Sequence, residues 1–126
     1  MVESFYAQYY KEYLHKPAKG NSDNAMIRWV NANSNLSDAF KKALRKAVLD
    51  ARKSDPEMGL DFDPILSGQD FPDKGYRAKD IQVTGDRAVV AMEGIDAPDF
   101  KISVRLVNAD HKWKINSIGE INALPK

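Results

Sequence analysis

Three aspartates close together, Asp61, Asp63 and Asp70, are the first residues of this chain whose spacing suggests chemistry. Within Leu60-Asp61-Phe62-Asp63-Pro64-Ile65-Leu66-Ser67-Gly68-Gln69-Asp70-Phe71-Pro72, Asp61 and Asp63 bring two carboxylates near one point. Asp70 and the Gln69 carbonyl add further oxygens, the donor type a hard divalent cation takes. A calcium loop, however, needs acids at regular alternate positions, a central glycine and a terminal glutamate, and these are missing. The segment therefore reads as an ordered loop. Its carboxylates accept hydrogen bonds from backbone N–H groups and from the basic third helix, and Phe62, Ile65, Leu66 and Phe71 anchor it. Neither a metal nor a cofactor is expected.

Tyrosine is concentrated at the other end: Tyr6, Tyr9, Tyr10 and Tyr13 fall within eight residues. A phenol has an apolar body and a polar tip, which suits core packing with the hydroxyl reaching water, a pocket rim or the centre of a protein interface. Four rings on so wide an arc are hard to bury completely, so one or two are expected at the surface. Tyr9 and Tyr13, with Asp61 and Asp70, are the candidate partner-binding positions. His15 and His111 have no serine or threonine motif beside them, and Asp80 and Glu93 read as flanking turns, so no catalytic acid–base pair is assigned. Lys41, Lys42, Arg45, Lys46, Arg52 and Lys53 share a helical stretch and form a candidate phosphate-binding face. Asp38 and Asp50 neutralise part of it and no aromatics interleave, so it reads as solvated surface and nucleic acid is not expected.

Composition bounds what can position these residues. The 126 residues are 43% apolar and 29% charged, the profile of one globular domain, and a chain of this size buries about two-thirds of its unfolded surface. Two histidines and no cysteine exclude thiol catalysis and zinc sites built on cysteine. Nineteen basic and 18 acidic groups give no bulk attraction to polyanions. The longest apolar runs, such as Ala88-Val89-Val90-Ala91-Met92, fall far short of the roughly 20 residues of a membrane-spanning helix. Met1 leads directly into Val2-Glu3-Ser4-Phe5 without a basic segment followed by an apolar one, as in a cytosolic chain or an exported one whose signal segment has been removed.

Charge divides the domain into three parts. Residues 1–54 hold ten basic and five acidic groups, residues 55–75 one and six, and residues 76–126 eight and seven. The middle part also holds Pro56, Pro64, Pro72, Gly59, Gly68 and Gly75, the punctuation of an irregular connection. Before it, Phe5, Tyr6, Tyr9, Tyr10, Tyr13 and Leu14 predict a helix to about Lys16, ended by Pro17 and Gly20. Met26, Ile27, Trp29 and Val30 predict a short helix over 25–30, capped by Ser22 or Asp23. Leu36, Ala39, Phe40, Ala43, Leu44, Ala47, Val48 and Ala51 keep the 3.6-residue period of a third, closed by Pro56. After it the period becomes two. Strands are expected over 76–83 and 87–93 around a Gly85-Asp86 turn, over 100–106, and over 113–117. Helices followed by a meander of about four strands define an α+β domain with the helices on one face of a curved sheet. Phe40, Leu44, Val48, Val89, Ile102, Val104, Trp113 and Ile115 are its expected core.

This arrangement resembles the cone-shaped fold of the nuclear transport factor two and cystatin-like group. More narrowly, Gly59-Leu60-Asp61-Phe62-Asp63-Pro64-Ile65-Leu66 with Gln69-Asp70-Phe71-Pro72, then Tyr76 and Trp113-Lys114-Ile115, resembles an uncharacterised family of bacterial envelope proteins and lipoproteins within that group. The resemblance implies a bacterial source, a place in the periplasm or cell envelope, and a cone that binds something, while transferring no catalytic residue. Envelope proteins of this size include immunity proteins that neutralise a toxin, so the expected function is non-catalytic binding of a protein partner, a toxin or an envelope enzyme. Cone folds also host carriers and enzymes of the isomerase and dehydratase type, which place an aspartate with a histidine or tyrosine in an apolar cavity, and that is the alternative.

Overall fold

The computed structural model describes residues 2–14, 22–57, 59, 63–66, 68, 72–119 and 121–122. Helix α1 spans Val2–Tyr9 and continues as a π-helical segment, Tyr10–Leu14. Helix α2 spans Ser22–Ala32 and α3 Asp38–Ser54. Strands follow at Tyr76–Thr84 (β1), Arg87–Gly94 (β2), Lys101–Ala109 (β3) and Lys112–Ile118 (β4). The four strands form one antiparallel sheet in the order β1-β2-β3-β4. The domain is thus α+β, with three helices before a four-stranded meander. Among the described residues no helix is long and apolar enough to cross a membrane.

Local sequence explains most of this. Ser37 caps α3, its hydroxyl accepting from Phe40 N at 3.1 Å, and Asp38 sits in the first turn where the helix dipole favours an acid. Phe40, Leu44 and Val48 form the buried stripe. Arg52 closes the other end by donating to the carbonyls of Pro56 and Glu57 at 2.9 and 3.1 Å. Helix α2 is longer than the apolar pattern suggests because polar residues at both ends continue it, and Ser22 lies in its first turn. Gly85, at a φ of 62°, makes the tight β1–β2 turn, and Asp110 and His111 adopt positive φ in the β3–β4 turn.

The sheet has an inner, helix-side face and an outer face. Cross-strand register puts Ala88, Val90 and Met92 of β2 opposite Leu106, Val104 and Ile102 of β3, and all six are buried. Ile115 and Ile118 continue this face on β4. Helix α1 packs on β1, α2 on α3, and α3 on β4. Trp29 of α2 joins the helices, its ring 5.6 Å from Phe5 and 5.0 Å from Tyr9. Two expected core positions differ. Val89 is 37% exposed because it stands opposite Arg105 on the outer face, and Trp113 is only partly buried. Within an apolar run, strand parity decides which side chain turns inward, and Val89 has the wrong parity.

The two sheet edges differ. Along β4, Asn35–Ser37 pairs in parallel with Ile115: Ser37 N donates to Ile115 O at 2.9 Å and Ile115 N to Asn35 O at 2.7 Å. Along β1, the Glu3 carboxylate accepts from Ala78 N at 2.8 Å. Beyond a register irregularity at Lys79, no described residue other than those of β2 pairs with the β1 backbone.

Candidate functional site

The tyrosines are working parts of the interior. On α1, Phe5, Tyr6 and Tyr9 recur with Tyr10 as two adjacent positions per turn, and all four are buried. Tyr6 donates to Ile65 O at 2.7 Å, Tyr9 to Asp63 Oδ2 at 2.5 Å and Tyr10 to Pro72 O at 2.6 Å. Three phenols on one helix thus hold the acidic connection at three points. Asp63 completes the clasp: its Oδ1 accepts from Ile65 N at 2.8 Å and Leu66 N at 3.0 Å, the self-capped turn expected of Asp-Pro. Its backbone pairs with Gly68 in both directions, and Ile65 and Leu66 are buried beneath it.

Burial sets the protonation of this cluster. Desolvation raises the Asp63 pKa, opposed by the hydrogen bonds from Tyr9, Leu66 and Ile65. Desolvation also raises Tyr6 and Tyr10 well above the usual phenol value and pushes Tyr76 up to about 12, with the Asp63 charge adding to each. The phenols therefore stay protonated donors at physiological pH. Both Asp63 oxygens are engaged, which is the chemistry of a structural carboxylate.

Tyr9 is the partner-binding candidate that the structure corrects. It is 0% exposed, wedged against Trp29 and bonded to Asp63, so it offers no surface to a partner. Asp61 and Asp70 lie outside the described residues, as does the side chain of Tyr13. The suggested cation loop also falls mostly outside them, and the described residues contain no cluster of three potential metal ligands. The expected loop bonds are present at Asp63, but its side-chain donor is Tyr9 of α1 and not a base of α3. Lys41 of α3 reaches Asn31 O and Lys46 pairs with Asp50 at 2.6 Å on the exposed surface. His111 is exposed in its turn, and His15 lies outside the described residues.

Asp80 and Glu93 stand within strands, not beside turns, paired with Ala91 and Arg77 respectively. Glu93 is 5% exposed on the outer face, where Arg77 donates to its Oε1 through Nε at 2.9 Å and Nη2 at 2.5 Å, and Lys79 Nζ lies 3.8 Å from Oε2. Lys101 faces it across β3. Further along this face, Val89, Arg105 and Ser117 form one cross-strand row, with Arg87 two residues from Val89. The outer face is consequently basic: Arg77, Lys79, Arg87, Lys101 and Arg105 outnumber Asp80 and Glu93.

The other distinctive surface is the far half of β1. Ile81 and Val83 pair with Val90 and Ala88, so they belong to the inner face, yet they are 58% and 61% exposed. Apolar residues of correct inward parity here lie beyond the cover of α1, beside an edge with no strand partner among the described residues. The alternating sequence showed the strand itself; its missing cover is a tertiary fact that no local pattern encodes. No family model, curated protein or solved structure matches the chain significantly.

Proposed function

We propose that this chain is a non-catalytic binding protein of the bacterial envelope, built on a cone of the nuclear transport factor two and cystatin-like type, that takes a protein partner on the open edge of its sheet. The observation that carries the reading is β1 over Ile81–Thr84: a strand edge that no described residue pairs with, flanked by the exposed Ile81 and Val83, while the opposite edge is closed by Asn35–Ser37. A bare edge is a template for strand addition, and soluble proteins ordinarily protect it. The partner segment that fits is extended and alternates apolar with acidic residues. Its apolar side chains extend the row of Ile81 and Val83, and its acids face the basic outer surface around Arg77 and Lys79. A toxin or an envelope enzyme presenting such a segment is the partner class, and an immunity-type role follows if the covered element is a toxin's active surface.

The test is site-specific photocrosslinking in bacterial cells, with the probe at Gln82 or, as control, at Arg45. A discrete protein adduct from Gln82 alone, lost on Ile81→Asp, is the expected result. Equal labelling from both sites, or an adduct that survives Ile81→Asp, overturns the edge as the docking surface.

A further inference from the structure

A second site lies on the opposite face of the sheet from Ile81 and Val83 and does not rest on the edge reading. A cavity of about 230 Å³ opens on the outer face between β2, β3 and β4, lined by Arg87, Val89, Arg105, Asn116, Ser117 and Asn122. Residues after β4 fold back to form part of its wall: Ile121 pairs with Ile118, and Asn122 Nδ2 donates to Asn116 O at 2.8 Å.

Three features of the wall point to one ligand chemistry. Arg87 and Arg105 are diagonal neighbours on adjacent strands, close enough for their charges to repel. Among the described residues Arg105 has no ion pair, and Arg87 has only a 3.9 Å contact to the exposed Asp86. No lining residue is acidic. Ser117 is the third feature. It is 2% exposed, yet its hydroxyl has no hydrogen-bond partner among the described residues while it lines the cavity. No sealed side-chain polar atom among the described residues lacks a partner, so this hydroxyl is accessible from the cavity and can bond a ligand that enters. Two guanidinium forks and a hydroxyl donor around a space of this size match an anion with several oxygens.

We propose that the Arg87–Arg105–Ser117 cavity is an oxyanion-binding site for a carboxylate- or phosphate-bearing small molecule. Guanidinium N–H groups of both arginines donate to the anion's oxygens, the Ser117 hydroxyl donates a further bond, and Val89 supplies an apolar floor that favours an organic body on the ligand. The same oxygen chemistry is carried by free inorganic phosphate and by small dicarboxylates, and the two are separated by titration.

The experiment is a nitrogen-15 NMR titration of the whole chain with inorganic phosphate and, separately, with succinate, against sodium chloride at matched ionic strength. The expected result is saturable shifts of the Ser117 amide and of the Arg87 and Arg105 side-chain Nε–H signals with one or both anions, and no saturation with chloride. Preference for phosphate identifies a phosphate-bearing ligand and preference for succinate a carboxylate. Arg105→Gln should weaken binding about tenfold, and Arg105→Lys should recover only part of it because an ammonium lacks the planar fork. Ser117→Ala should weaken it by a few-fold. Shifts that never saturate, that chloride reproduces, or that persist at full affinity in a folded Arg105→Gln variant would overturn the site.

Discussion

The Tyr9 hydroxyl donates to the Asp63 carboxylate across 54 positions of sequence, at 2.5 Å, in the part-buried seam between α1 and the acidic connection. With the Tyr6 and Tyr10 bonds it makes α1 the element that holds the connection in place, so the loop's order depends on the helix.

Tyr9→Phe keeps the ring against Trp29 and removes only the donor. A hydrogen bond to a charged acceptor contributes about 1.5–3 kcal/mol, and the unfolding free energy in urea should fall by that amount. Tyr6→Phe, which removes a bond to a neutral carbonyl, should cost about 1 kcal/mol. An equal loss from both variants would refute the special weight given to the carboxylate.

Asp63 also makes a pH prediction with a definite sign. Its folded pKa is raised above the ordinary carboxylate value of 3.8, chiefly by desolvation. Proton binding therefore favours the folded state: the contribution is fully present below the unfolded pKa and is lost as pH rises through the folded one. Relative to Asp63→Asn, the wild type should lose stability as pH rises from below 3.8 through the folded pKa. The carboxyl carbon should titrate higher still in Tyr9→Phe, because the Tyr9 bond is what holds it down. Parallel stability curves for the wild type and Asp63→Asn would contradict this.

Glu93 and Arg77 should respond unequally. Glu93 is buried and Arg77 half exposed, so Arg77→Ala leaves a buried carboxylate with, among the described residues, only the 3.8 Å Lys79 ion pair, whereas Glu93→Gln frees an arginine that water can reach. Arg77→Ala should cost about 2–4 kcal/mol, the larger effect, and Glu93→Gln about 1–2 kcal/mol. Chemical denaturation of the two variants and the double mutant measures the order directly.

Ile81→Lys with Val83→Lys separates stability from binding. Both side chains are more than half exposed, and surface changes away from special features stay within about 0.5 kcal/mol. The double variant should melt with the wild type yet lose the crosslinked adduct at Gln82. A large drop in melting temperature would mean that the pair already belongs to the core.

Much of the fold is written locally. Helix α3 follows from apolar residues at 3.6 spacing with Ser37 as cap, and the strands from alternation and the Gly85-Asp86 turn; the expected bounds differ from the observed ones by only a few residues. Helix propensity, capping and turn geometry depend on neighbours in sequence, so sequence suffices for them. Asp63 as the acceptor of its own loop was legible for the same reason. Tertiary structure alone decided the rest. Tyr9 became interior because Asp63 and Trp29 arrive from distant elements to meet it. Val89 turned outward because a one-residue parity sets faces inside an unbroken apolar run, and Glu93 was buried by Arg77 and Lys79 of a neighbouring strand. Ile81 and Val83 have the pattern of core residues, but burial requires a covering layer, and the packing of α1 against only the first part of β1 left them open.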